Sequence, residues 1–165
     1  MEIDRALEWL QASRIATAVA ENDILFPWIE SVHVLAIVLV VGTISIVDLR
    51  LLGVASLDIS ARRLMRDIIP YTWGAFAVAA ITGSLMFSSD AVHYAHNRLF
   101  QIKLVMLALA GVNMAVFHAF GERDIERWDA PGGTTPMAAK AAATISLLAW
   151  VAVVSLGRGT GFTMH

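Results

Sequence analysis

The chain has 165 residues, of which 58% are hydrophobic and only 16% are charged, and its formal net charge is −2. Because soluble domains carry about a quarter charged residues, this composition excludes an ordinary soluble domain. The balance is slightly acidic and lacks a basic tract, which argues against a nucleic-acid partner. With no cysteine in the chain, disulfides and cysteine-ligated iron–sulfur clusters are excluded.

The first twenty residues predict an amphipathic helix over residues 2–20. Ile3, Leu7 and Leu10 recur at helical spacing opposite a charged side, and Trp9 is close by, so the pattern is typical of a helix lying flat at the membrane interface. A helix packed across the mouth of a bundle is the alternative. The acidic start, with no short apolar run directly after it, does not fit a signal peptide.

Four apolar segments follow, each close to the roughly 20 residues that cross a bilayer. They cover about residues 27–52, 68–87, 99–120 and 137–156. The sequence therefore predicts an all-α integral membrane four-helix bundle that forms a single membrane domain over residues 1–165. Small residues four apart in the second and fourth spans predict close helix packing, within the chain or between copies: Ala75, Ala79 and Gly83, and Ala139 and Ala143.

Basic residues predict the orientation. The connections after the first and third spans hold more arginines than the other side, which favours a cytoplasmic position for these connections and a periplasmic position for both termini. The first set is Arg62, Arg63, Arg66, Arg123 and Arg127, and the second is Arg5, Arg14 and Arg98.

Ionisable side chains inside membrane spans are costly and indicate function by default. In the predicted topology, one group lies near the outer leaflet: Glu30, His33, Lys103 and Arg158, with His93, His96 and Asn97 in the loop above. This group could bind haem b through a histidine, with Lys103 and Arg158 on the propionates. It could instead hold copper or zinc through His33 with His93 or His96, bind a quinone head group, or relay protons. The structural alternatives are a packing hydrogen bond at His33 and a pairing of Lys103 with Glu30.

A second group lies near the inner side and contains Asp48, Arg50 and His118. Asp48 and Arg50 predict an ion pair that anchors the topology, and His118 is placed to interact with the helix C-terminus. His118 lies fifteen residues beyond Lys103, about 22 Å deeper at 1.5 Å per residue. His33 and His118 therefore cannot be the two axial ligands of one haem.

The stretch FPWIESVHVLAIVLVVGTISIVDLRLLG, residues 26–53, carries a resemblance. With Gly83, the NRLFQIK segment that ends at Lys103, and Gly157-Arg158, it resembles small four-span bacterial inner-membrane proteins of uncharacterised function. It is also weakly similar to the membrane domain of copper-resistance proteins, which begin with a histidine-bearing span. The resemblance implies the four-span fold, a bacterial inner membrane, and importance of His33, Lys103 and Arg158.

Three functions follow as hypotheses. The first is a cofactor-binding protein, with haem b as the cofactor and electron transfer as the role. The others are a small metal-ion or proton transport component, acting as a homo-oligomer, and a structural accessory subunit of a larger membrane complex. The chain lacks a hydrolase elbow, a phosphate loop and an HExxH motif, so no independent catalytic activity is expected.

Overall fold

The computed structural model describes residues 2–121, 125–130 and 133–163, and within them the chain forms helices and no strand. Arg123 of the orientation argument lies outside the described residues. The helices are α1 (Glu2–Gln11), α2 (Arg14–Glu21), α3 (Leu25–Leu52), α4 (Ala61–Ser89), α5 (Ala91–His96), α6 (Arg98–Val116), α7 (Ile125–Trp128) and α8 (Met137–Thr163). A π-helical turn, Phe117–Gly121, continues α6.

Four of these helices, α3, α4, α6 and α8, are long and apolar enough to cross a membrane, which confirms the predicted helical membrane bundle. Their outward faces carry large apolar side chains that are about half exposed or more, such as Leu35, Ile81, Val105 and Leu148. Apolar surface on every side suits a protein whose solvent is lipid, and helices suit that solvent because backbone groups within a helix hydrogen-bond to one another.

The spans form an open arrangement rather than a closed ring. Helix α3 packs on both α4 and α8, and α6 packs on α8, whereas α4 and α6 hardly touch along the described residues. The exception is a stack between Phe87 of α4 and Phe100 of α6, with ring centroids 5.5 Å apart. We call the end with this stack the α5 end, and the opposite end the α7 end.

Two spans are longer than predicted. Helix α4 begins at Ala61 rather than near residue 68, because Ser60 caps it through its Oγ, which accepts a hydrogen bond from Arg63 N at 3.2 Å. Helix α8 continues past Gly157 and Gly159 to Thr163. The predicted stop there was wrong, since these glycines remain helical where α6 side chains approach their backbone.

The N-terminal segment forms two helices across the α5 end. The break lies at Ser13, whose Oγ accepts a hydrogen bond from Ala16 N at 3.3 Å. Helix α1 packs on α5, and α2 packs on α4. Ile3 and Trp9 remain 76% and 77% exposed, so the segment covers the bundle mouth while presenting an apolar face outward.

Candidate functional site

His33 joins α3 to α4 at the α5 end. Its Nδ1 lies 2.9 Å from Thr82 Oγ1, and that hydroxyl also donates to Val78 O at 2.7 Å. Because the Thr82 proton is directed at a carbonyl, Nδ1 of His33 is the donor in this contact. A Cβ built on Gly83 would lie 2.9 Å from His33 Cε1, so the ring occupies the space that Gly83 leaves. These contacts give His33 a helix-packing role and account for the glycine at position 83 of the small-residue seam on α4.

Lys103 lies between α6 and α8 at the same end. Its ammonium is 5.8 Å from the Phe100 ring centroid and would be 3.6 Å from a Cβ on Gly157. The side chain is half-buried. It forms no ion pair with Glu30 or any other described carboxylate, although it lies within electrostatic range of the His33 ring.

The histidines of the predicted lid lie on α5 and make their own contacts there. His93 Nδ1 lies 2.8 Å from Asp90 Oδ1, and His96 Nδ1 donates to Val92 O at 2.9 Å. His96 Nε2 lies 3.4 Å from Asp4 Oδ1. Among the described residues, no three His, Asp or Glu side chains are grouped in a way that could hold a metal ion. The structure does not bring His33, His93 and His96 together at one metal position.

Asn97 caps α6. Its Oδ1 accepts hydrogen bonds from Leu99 N at 2.9 Å and Phe100 N at 3.2 Å, and its Nδ2 donates to Thr163 Oγ1 at 2.9 Å. It therefore ties the start of α6 to the end of α8. Arg158, nearby on α8, is exposed and stacks over Phe162, with Cζ 5.0 Å from the ring centroid.

An aromatic cluster that the sequence reasoning missed closes the α5 end. Tyr94 lies 6.2 Å from Phe87 and 5.4 Å from Phe100, centroid to centroid. Burial raises the pKa of Tyr94, and the negative charges of Asp90 and Glu30 add to this effect. Glu30 itself is exposed at the edge of this cluster.

At the α7 end, Arg50 pairs with Asp129 instead of Asp48. Arg50 Nη2 lies 3.0 Å from Asp129 Oδ1, and its Nε donates to Ile59 O at 2.7 Å. Asp129 also accepts from the backbone N–H groups of Ala61 (2.8 Å) and Arg62 (3.0 Å), so it caps α4. The predicted Asp48–Arg50 pair is wrong, because residues two apart on a helix point to different sides.

Asp48 is instead buried and faces a cavity. It is 5% exposed, and its Oδ2 has no hydrogen-bond partner among the described residues. Among the described side chains, the Ser146 hydroxyl is placed to hydrogen-bond with the carboxyl group. A buried carboxyl oxygen without a partner is costly and rare in folded proteins. It is therefore the clearest sign of a binding site in the described part of the chain.

The cavity has a volume of about 610 Å³ and is lined by all four spans. Its polar lining residues are Asp48, Thr72, Asn113, His118 and Ser146, and its aromatic ones are Trp73, Phe76, Phe117 and Trp150. No lysine or arginine is among the described lining residues. The structure thus brings Asp48 and His118 of the predicted inner group to one cavity and leaves Arg50 outside it.

One side of the cavity faces lipid. The lining residues on α3 and α8 are buried or half-buried, and Val40 and Ala143 are only 1% exposed each. Several of those on α4 and α6 are exposed, including Trp73 at 51%, Phe76 at 38% and Gly111. Because α4 and α6 stay apart here, the cavity opens between them into the bilayer.

Two features near the opening carry polar groups that the sequence reasoning did not select. Asn113 Nδ2 donates to Ala142 O at 3.0 Å, and Thr72 Oγ1 donates to Thr43 Oγ1 at 2.8 Å. The signal for both was present as uncharged polar residues in the middle of apolar spans.

The π-helical turn widens the end of α6, where Phe117 and His118 line the cavity. Such turns are frequent at functional sites. His118 Nδ1 donates to Met114 O at 2.9 Å.

Fold and site together define a class: a four-span helical membrane protein with a carboxyl-bearing cavity that is open to the bilayer. The chain belongs to a family of unknown function, DUF6644, which matches residues 7–163. No curated protein and no solved structure shows a significant match. The family match confirms the expected membership of an uncharacterised family, while the similarity to copper-resistance proteins stays a prediction.

Proposed function

We propose that this protein binds a membrane-dissolved ligand of the quinone class, with a flat oxygen-bearing ring and an apolar tail, in the cavity beside Asp48. The observation that carries the proposal is the buried Asp48 Oδ2 without a partner, facing this cavity. A ligand hydroxyl would complete its hydrogen bonding. With Asp48 protonated, a ligand carbonyl would do so.

Size, lining and access support a ligand of this class. A volume of about 610 Å³ falls within the range of about 300–1,000 Å³ that is typical of small-molecule sites. Trp73, Phe76, Phe117 and Trp150 provide aromatic surface for a ring. The opening between α4 and α6 admits a molecule that diffuses within the membrane, and an apolar tail would extend through it into lipid.

Haem b ranks second for the same cavity. His118 lines the wall, but the described lining holds no arginine or lysine to pair with propionates. Lys103 and Arg158, which the sequence suggested for that task, lie at the α5 end. An absorbance spectrum of the purified protein tests this alternative, since bound haem would give a Soret band.

Ion transport and an accessory-subunit role stay predictions from the sequence. Flux measurements in proteoliposomes test the first, and co-purification with a partner protein tests the second.

The test of the quinone proposal is a titration of the purified protein in nanodiscs with a short-chain ubiquinone and a short-chain menaquinone. Trp73 and Trp150 line the cavity, so binding should quench tryptophan fluorescence saturably. Asp48→Leu should weaken binding by about 10- to 100-fold, the size of a hydrogen bond to a charged group. Asp48→Asn, which keeps hydrogen-bonding capacity, should weaken it less.

A matched pair of glycine variants locates the binding. Gly111 lines the cavity and Gly42 does not, and a Cβ on either would meet no atom within 4 Å. Gly111→Leu should abolish saturable quenching, whereas Gly42→Leu should leave it unchanged. Quenching that does not saturate, or that survives Gly111→Leu, contradicts the proposal.

A further inference from the structure

The Lys103 ammonium is a charge without a counter-charge. Lysine side chains near span ends normally reach toward water, yet this one lies half-buried against the backbone of Gly157 and beside the Phe100 ring. No described side chain forms an ion pair or hydrogen bond with it. Its charged neighbour in the bundle, Glu30, interacts with His33 and makes no ion pair with Lys103.

A second cation without a described carboxylate partner belongs to the same end of the bundle. Arg158 directly follows Gly157 on α8, and its guanidinium stacks over Phe162 without a carboxylate partner among the described residues. The α5 end therefore presents two positive groups, Lys103 between α6 and α8 and Arg158 on the exposed surface of α8. Two of the described acidic residues at this end, Asp4 and Asp90, pair with histidines of α5, and no described carboxylate forms an ion pair with Lys103 or Arg158.

Both cations lie close to the ends of their spans, on the side of the bundle that α1 and α2 cover. Lys103 lies in the second turn of α6 and Arg158 in the last two turns of α8. The amphipathic helices α1 and α2 cover the same end, with Ile3 and Trp9 exposed. Helices of this kind lie at the boundary between head groups and acyl chains, so lipid phosphates are present at this level.

We propose that Lys103 and Arg158 bind the phosphate of an anionic phospholipid, whose chains lie along the seam between α6 and α8. The lipid phosphate supplies the counter-charge that the described residues lack. Lys103 lies directly against the α8 backbone at Gly157, where a Cβ would be 3.6 Å from the ammonium. This site is independent of the cavity beside Asp48, which lies toward the other end of the bundle.

The test is native mass spectrometry of the full-length protein released from nanodiscs that contain equal amounts of phosphatidylglycerol and phosphatidylcholine. The wild type should retain phosphatidylglycerol preferentially. Lys103→Met and Arg158→Gln should each lower its retention by about five-fold, the effect of removing one cation near a membrane surface. Lys140→Met, at the opposite end of α8, is the matched control and should change nothing.

Two additions to the experiment distinguish lipid phosphate from free phosphate and keep the test valid if one variant fails to fold. Inorganic phosphate should not displace the lipid, and displacement at equal concentration would overturn the lipid assignment in favour of a free anion. Arg158 is exposed, so Arg158→Gln keeps the test valid if Lys103→Met fails to fold. Equal retention of the two lipids by the wild type, or undiminished retention by Arg158→Gln, overturns the proposal.

Discussion

Arg50 and Asp129 lie 79 positions apart in the sequence, and their side chains meet at 3.0 Å at the α7 end of the bundle. The pair is shielded, with side chains 13% and 5% exposed. Since Asp129 also caps α4, one carboxylate connects the end of α3, the start of α4 and the segment that follows α7. This contact closes the bundle at the α7 end.

Removal of Asp129 should destabilise the protein strongly. Asp129→Ala leaves Arg50 shielded without a counter-charge and removes the two hydrogen bonds from the first turn of α4, losses of about 3–5 kcal/mol and about 1 kcal/mol, while the Ser60 cap remains. Asp129→Asn should cost less, because its amide oxygen still accepts from the backbone of α4. Thermal unfolding in detergent measures both. Glu126→Gln, which removes an exposed partner of Arg62, is the control and should shift the midpoint little.

The fit of His33 against Gly83 predicts a second stability effect. Gly83→Ala would place a methyl group 2.9 Å from His33 Cε1, and such overpacking typically costs about 1–3 kcal/mol. Gly74→Ala on the same helix meets no atom within 4 Å and should be tolerated. Unfolding free energies from a denaturant titration compare the two.

The same site allows a double-mutant cycle. If the clash with the ring is the cause, Gly83→Ala should cost little in a His33→Ala background, and the two effects should be clearly non-additive. Additive losses would mean that Gly83 and His33 contribute to stability separately.

The raised pKa of Tyr94 predicts that the folded protein loses stability at alkaline pH. Burial, together with Asp90 and Glu30, raises the pKa of Tyr94 above its ordinary value of 10.0. The folded state therefore holds the phenol proton more tightly than the unfolded state. This contribution is complete below pH 10 and is lost as the pH rises through the folded pKa. Tyr94→Phe keeps the aromatic cluster without a titrating group, so its stability should fall less above pH 10. Thermal unfolding measured across this pH range checks the difference, and parallel curves would rule it out.

The exposed Trp9 predicts contact with lipid at the membrane interface. Brominated lipids should quench part of the tryptophan emission, and the part that Trp9→Phe removes should respond most to bromines close to the head group. The remaining tryptophans provide the internal reference. If shallow bromines do not affect this component, α1 does not rest on the bilayer.

The sequence by itself determined the class of the protein. Four apolar runs of bilayer length leave a chain no alternative to spanning helices, because unpaired backbone groups are too costly in lipid. The pattern of Ile3, Leu7 and Leu10 likewise predicted the N-terminal amphipathic segment, and Ala75, Ala79 and Gly83 predicted a close helix contact. These are local properties, and periodicity is enough to read them.

Only the tertiary structure decided which polar groups meet. Sequence spacing suggested that Asp48 pairs with Arg50. In the folded protein, Asp48 faces the cavity and Arg50 forms its ion pair with Asp129. The fold also separates α4 from α6 and so opens that cavity to the membrane. The physical reason is that sequence spacing gives the relative directions of side chains only within a single helix. Helix order and rotation depend on side-chain packing between distant segments, such as His33 against Gly83 and Lys103 against Gly157.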